Sequence, residues 1–406
     1  MKRIIICTIL CLSFLAHDTY AQCSYDAARE MYIGLDGGPC VNTLITAMPF
    51  LRIIPDARSA GLGDAGIGLS ADPNSMFFNA SKLTFAEEDL GLSVTYTPWL
   101  RALGLTDVYM AYLSGYKKID DLSAVGVSMK YFSLGSISFT DLNGEPLGDG
   151  RPNEFEIAGA YSRKLSEKFS VGITLKFIFS NLAAGQAIDN VEIKPATAGA
   201  ADISFTYITP ISLQNSDSEL TIGGAISNVG TKVSYTNSVN KDFLPANLGI
   251  GAGWKIDLDQ YNQITFVGDL NKLLVPTPCV GDASDCENSG DPNVIDYKEQ
   301  GVIGSIFGSF SDAPNGASEE FREINYSLGV EYWYDQQFAV RAGYYAEHAT
   351  KGNRKFFSLG LGVKYNIFGL NFSYLIPTSS QRNPLDNTLR FSLLFDFGAI
   401  QDGGTL

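Results

Sequence analysis

The chain is poor in charge, in histidine and in long apolar runs, and each shortage removes a class of protein. Only 18% of its 406 residues are charged, and 29 Lys and Arg stand against 44 Asp and Glu, for a net charge of −15. Without a basic block anywhere, it has nothing to neutralise a phosphate backbone, which excludes a nucleic-acid binder. Two histidines and six cysteines, none in CxxC spacing, leave a zinc site without its ligands. After residue 21 no run reaches about eighteen apolar residues, so no helical membrane span is expected. Low charge with 41 Gly, 20 Tyr and 25 Phe fits neither a disordered chain nor a helical bundle. Strands and turns remain, and all-β chains of this length often form one domain.

Residues 1–21 read as a cleaved secretory signal. Lys2 and Arg3 lead an apolar run from Ile4 to Ala16, and Thr19 and Ala21 put small residues at −3 and −1 of a cut before Gln22. Gln22 in front of Cys23 argues against lipidation. Export leaves Cys23, Cys40, Cys279 and Cys286 in an oxidising compartment, where two disulfides are expected. Proximity favours Cys23 with Cys40 and Cys279 with Cys286, although four cysteines allow three connectivities.

The body of the chain alternates with period two. From Phe169 to Ser180, Phe169, Val171, Ile173, Leu175, Phe177 and Phe179 share one face, opposite Ser170, Gly172, Thr174, Lys176 and Ser180. Phe357 to Ile367 repeats the pattern, with Phe357, Leu359, Leu361, Val363, Tyr365 and Ile367 opposite Ser358, Gly360, Gly362, Lys364 and Asn366. Fourteen such segments can be marked, at about 90–99, 107–117, 123–140, 154–164, 169–182, 198–209, 219–236, 245–257, 262–273, 323–334, 337–348, 356–367, 370–377 and 387–397. Their connections alternate: 118–122, 165–168, 258–261, 335–336 and 368–369 are tight, whereas 141–153, 183–197, 274–322 and 378–386 are long. An even strand count, alternating loop lengths and aromatics at strand ends (Tyr96, Trp99, Trp333, Tyr334) predict a 14-stranded antiparallel transmembrane β-barrel of the bacterial outer membrane, both termini periplasmic. A soluble sandwich or propeller also alternates, but Lys130, Lys176, Arg341 and Lys364 on the polar faces suit a wet lumen better than a dry core. The last strand, Leu389 to Phe397, ends in an aromatic as assembly signals of such barrels do. The expected organisation is a signal (1–21), an N-terminal plug inside the barrel (22–88), the barrel (89–398) and a tail (399–406).

Gly61, Gly63 and Gly66 spell GxGxxG, with Glu87 about twenty residues on, yet Pro55 and Asp72-Pro73 interrupt any strand–turn–helix context. These glycines, with Asn79, are expected to form the turns of the plug. His348 is the sole histidine after the signal. Glu347 lies on the opposite strand face and no nucleophile motif accompanies it, so no catalytic residue, cofactor or metal ligand is expected. Val275 to Arg322 is a long acidic stretch, with Asp282, Asp285, Glu287, Asp291, Asp296, Glu299, Asp312, Glu319 and Glu320 against Lys298 and Arg322. It reads as a solvated outer loop and a candidate docking surface. The first outer loop offers apolar Trp99, Leu100, Leu103 and Leu105, either to the lipid interface or to a partner.

Ser59 to Gly66, then Ala71 to Ser75 and Asn79-Ala80-Ser81, resemble the N-terminal hatch of the FadL family of fourteen-stranded outer-membrane barrels, which usually shows Asn-Pro-Ala at the last of these. A closer resemblance is to the PorV family, FadL-like barrels of the type IX secretion system in Bacteroidetes. It runs through Pro55 to Arg58, Val94 to Leu100, Arg341 to His348 and Lys351 to Phe357. This resemblance implies a non-enzymatic component that receives secreted proteins by their C-terminal signal domains from the translocon and delivers them to a surface attachment complex containing the PorU sortase. The alternative it leaves open is a FadL-like channel for hydrophobic small molecules.

Overall fold

Alternating side chains make a strand with two unlike faces, and here the polar face is the buried one. The computed structural model describes residues 23–26, 31–34, 40–101, 104–140, 145–183, 186–188, 191–213, 216–237, 241–278, 299–378 and 388–398. Fourteen antiparallel strands close into a barrel. They are β1 (Leu90–Pro98), β2 (Val108–Lys118), β3 (Ser123–Leu134), β4 (Asn153–Ser166), β5 (Phe169–Asn181), β6 (Ala196–Leu213) and β7 (Ser216–Gly230), followed by β8 (Asn247–Asp257), β9 (Asn262–Leu273), β10 (Asn325–Tyr334), β11 (Phe338–Ala346), β12 (Lys355–Tyr365), β13 (Phe368–Pro377) and β14 (Leu389–Asp396). Each pairs with its sequence neighbours, and β14 closes on β1 with Phe391 opposite Tyr96.

Ile173, Leu175 and Phe177 of β5 point outward and are exposed, while Ser170, Thr174, Lys176 and Ser180 are buried inside. An exposed apolar belt around a buried polar wall is the arrangement lipid requires, because closure pairs every strand edge. Among the described residues no helix is long and apolar enough to cross a membrane.

Several boundaries differ from expectation, β6 spanning Ala196–Leu213 rather than 198–209 and β7 Ser216–Gly230 rather than 219–236, and two further differences have clear local reasons. The segment 123–140 breaks at Gly135 (φ +80°), so Ile137–Thr140 pairs with Pro146–Gly150 as a separate ribbon. The turn between β12 and β13 is Asn366-Ile367 rather than Phe368-Gly369. Asn366 takes the left-handed conformation (φ 50°), and Phe368 is then free to pair with Phe395. All the long connections lie at one end, the outer end by the usual asymmetry of such barrels.

Residues 40–88 run down the lumen. At the outer end Asn42 N donates to Thr350 O (3.0 Å) and Ala47 N to Phe243 O (2.8 Å). Met48, Phe50 and Leu51 pack there with Trp99, Met110 and Phe132. Near the turn end, Leu83 and Met76 pack with Tyr116, Ala124 and Ala160 before the chain enters β1. Residue 40 therefore stands at the outer mouth, and the segment runs from there to the turn end, where it enters β1. Residues 1–21 and 399–406 lie outside the described residues.

Candidate functional site

The lumenal segment meets β10 to β12 through both ion pairs and close backbone contact. Asp56 caps the turn Ala57–Ala60 by accepting from Ser59 N (2.8 Å), which aims Arg58 at the wall. Arg58 donates to both oxygens of Glu331 on β10 (2.7 and 3.0 Å) and to Asp72 (3.1 Å). Arg341 on β11 donates to Oε2 of Glu331 as well, at 2.6 Å. Arg354 grips Asp64 at 2.6 Å, and Asp269 accepts from Gly66 N and Ile67 N at 2.7 and 2.9 Å. Asn79 donates to Phe205 O and Thr206 Oγ1, both at 3.0 Å.

The glycines lie where nothing larger fits. A Cβ on Gly343 would sit 2.0 Å from Gly63 N, and one on Gly63, already at φ +69°, would sit 2.6 Å from Tyr344 N and O. Gly61 faces Gly360 across the same interface, and Gly66 is covered by the Phe78 ring. Gly61 and Gly63 thus lie against β12 and β11, Gly66 under Phe78 of its own segment and Asn79 against β6, with atoms packed where a nucleotide cradle would need open space. A cavity of about 570 Å³ opens at the turn end, lined by Arg58, Asp72, Tyr116, Lys255 and Lys364 among others. A second, of about 110 Å³, lies above it beside Asp64, Phe78 and Lys176.

At the outer end the first loop divides. Trp99 is only 6% exposed and stands 4.8 Å from Phe132, its backbone N–H bonded to Val108 O. The expectation of an outward Trp99 is corrected here, and the parity of β1 contained the answer. Ser93, Thr95 and Thr97 face inward, so Trp99 does as well. Leu100 is half-buried at φ 53°, Leu105 is exposed, and Leu103 lies outside the described residues.

The described part of the acidic loop is likewise less solvated than its composition implies. Glu319, Glu320 and Glu323 are buried against Lys272 of β9 and Lys351 of the β11–β12 loop. Lys272 bonds Glu320 at 3.0 Å and also Glu323, and Lys351 bonds Glu319 and Glu323 at 2.6 and 2.9 Å. Burial, reinforced by Glu320 and Glu323, pushes the Asp312 carboxyl up to about 6 although Thr277 donates to it twice. No spacing rule pairs Lys272 with Glu320, so sequence reasoning missed this network. Asp282 to Lys298 lie outside the described residues.

His348 shares a hydrogen bond with Thr350 Oγ1 (2.9 Å), and Glu347 accepts instead from Tyr345. Cys40 is disulfide-bonded, whereas Cys279, Cys286 and the side chain of Cys23 lie outside the described residues.

A closed barrel with an exposed apolar belt and a polar, occupied lumen defines an integral β-barrel protein of the bacterial outer membrane. Its family follows from the sequence model of "Type IX secretion system protein PorV", which matches residues 40–280, well over half of the chain. The chain belongs to the PorV family and is a type IX secretion component. Among solved structures it is similar to a FadL homologue of Pseudomonas aeruginosa (11% identity, TM-score 0.41, covering 88% of this chain and 100% of that one). It is also similar to the toluene transporter TodX of P. putida (10%, 0.46, 84% and 98%) and the toluene transporter TbuX of Ralstonia pickettii (9%, 0.44, 84% and 96%). No curated protein matches it significantly.

Proposed function

We propose that this barrel receives secreted proteins by their C-terminal signal domains at its outer face, takes them from the outer-membrane translocon and passes them to the surface attachment complex that contains the PorU sortase. The observation that carries the reading is the family match over residues 40–280. The lumen supports it: residues 40–88, acting as a hatch, are tied to β10, β9 and β6 by Arg58–Glu331, Asp269 and Asn79 and to the β11–β12 loop by Asp64–Arg354. A fourteen-stranded barrel so occupied has no room for a polypeptide, so cargo is presented on the loops rather than conducted. Binding and transfer require no bond chemistry and no cofactor. Leu100, Leu103 and Leu105 of the first loop are contacts on this reading, with Trp99 as their buried support.

The test is purification of tagged protein from native outer membranes in mild detergent, with mass spectrometry of what accompanies it. Recovery of secreted proteins sharing a C-terminal domain is expected. Recovery of fatty acid alone would replace this reading with a channel for hydrophobic small molecules. Deleting residues 100–105 should leave the barrel folded while cargo accumulates unprocessed, and normal anchoring would remove that loop from the docking surface.

A further inference from the structure

The most exposed apolar side chains away from the lipid belt stand on the acidic outer loop. Its helix, Val302–Gly308, is turned the wrong way round for a globular protein. Ser305 and, just past the helix, Ser309 are buried. Ile303, Phe307 and Phe310, spaced i, i+4 and i+7, form one stripe that is 64%, 74% and 49% exposed. A helix normally spends such a stripe on its own core. Phe321, 69% exposed, follows on the same loop. Leu44 and Val302 pack on one cluster of Phe243, Leu273 and Val275 at the barrel mouth, and Val41 and Ile45, three residues before Leu44 and next to it in the chain, are 58% and 61% exposed.

This surface is held still. Lys272 and Lys351 fasten Glu319, Glu320 and Glu323 to the rim, and Asn42 Nδ2 donates to Pro278 O (2.9 Å) and to Glu319 (3.4 Å). Desolvating five charges to position a loop is costly for a segment that serves only as a connection, whereas a rigid base for apolar anchors lowers the entropy lost on binding. Arg322 stands beside Phe321 in a chain that is acidic overall, while Lys351 is neutralised by Glu319 and Glu323. Together with Lys355 and Lys351, Arg322 sets the positive field felt by His348.

We infer that the stripe Ile303–Phe307–Phe310, continued by Phe321 and by Val41 and Ile45, is the docking surface for a secreted partner whose signal domain offers an apolar anchor flanked by carboxylates. The inference rests on the cargo reading above and assigns it a place distinct from the first loop. The patch supplies hydrophobic contact at its centre, and Arg322 and Lys355 supply the charge at its rim that orients the partner.

The experiment measures binding of a purified C-terminal signal domain from a secreted protein of the same organism to the purified full-length barrel in detergent. The wild type is compared with Phe307→Ser/Phe321→Ser and with Arg322→Glu, all checked for heat-modifiable migration as folded barrels. Since both phenylalanines are exposed, the double variant should fold normally and lose binding at least tenfold. Arg322→Glu should bind more weakly at low salt and converge on the wild type at high salt. If the wild type binds and both variants bind equally well, the surface is wrongly assigned while the cargo reading stands. If the wild type does not bind, the cargo reading fails and this inference with it. A Phe307→Trp variant in vesicles of brominated phosphatidylcholine separates the remaining possibility: unquenched fluorescence is expected, and strong quenching would make the stripe a lipid contact and overturn the proposal.

Discussion

Glu331 is the residue on which the lumenal segment depends most, and its removal can be worked through quantitatively. It is 1% exposed in its side chain and neutralises two arginines, Arg58 at 2.7 Å and Arg341 at 2.6 Å. Glu331→Gln keeps the volume and one acceptor but leaves two guanidinium groups facing each other out of water. Removing one partner of a buried pair costs about 3–5 kcal/mol. Asp72, 3.1 Å from Arg58, still compensates part of the charge, which places the cost near the lower limit, at about 3–4 kcal/mol. Because Arg58–Glu331 joins the segment to the wall, whereas Glu331–Arg341 links strands already held by backbone hydrogen bonds, the loss falls chiefly on local opening, and the open population should rise by about 10²–10³. The assay is maleimide labelling of an Ala57→Cys reporter, a site fully buried in the closed state. When opening is fast and reversible, the labelling rate follows the open population. Glu331→Leu/Arg341→Met, which returns Arg58 to Asp72 alone, should label more slowly than Glu331→Gln. A labelling rate for Glu331→Gln within tenfold of the parent would refute the claim that this ion network holds the segment in place.

Gly343→Ala would put a methyl group 2.0 Å from Gly63 N, so the segment must retreat by about 1 Å or more, at about 1–3 kcal/mol, and conductance in planar bilayers should rise above the parent. Unchanged conductance would contradict the close backbone approach. Asp312 binds its proton more tightly in the folded loop, with a value of about 6, than its ordinary 3.8, so its contribution to loop packing is complete below about pH 4 and is lost as pH rises to about 6. Asp312→Asn should therefore slow proteolytic nicking of the loop at pH 7.5 and flatten its dependence between pH 4 and 6. Trp99→Ala removes a buried ring from the cluster around Phe50 and Phe132 and should cost about 3–5 kcal/mol, seen as an earlier thermal transition in gel mobility. A cargo defect without that shift would return Trp99 to the surface.

The barrel was legible in the sequence because strand side chains alternate strictly and lipid punishes any error in the alternation. The fourteen marked segments match the fourteen strands, with boundaries moved by several residues in places, two of them where Gly135 and Asn366 adopt positive φ. The GxGxxG stretch was legible as backbone-packing glycine because its surroundings lacked a strand–turn–helix frame. Two readings failed for opposite reasons. Trp99 lay within reach, since the parity of β1 already pointed it inward. The burial of Glu319, Glu320 and Glu323 was out of reach, because their partners Lys272 and Lys351 come from distant strands and loops and acidic composition alone reads as solvation.

Local rules therefore decided the class of protein by themselves: low charge, period-two alternation and alternating connection lengths leave room for little but an outer-membrane barrel, since these properties need no knowledge of which residues meet. What only the tertiary structure decided was where the chain before β1 goes and what it touches. That Gly63 lies on Gly343, that Arg58 finds Glu331, and that Val302, at the start of an exposed apolar stripe, shares a cluster with Leu44 all depend on contacts between residues far apart in the chain. Closure of the barrel creates those neighbourhoods, and no local periodicity records them.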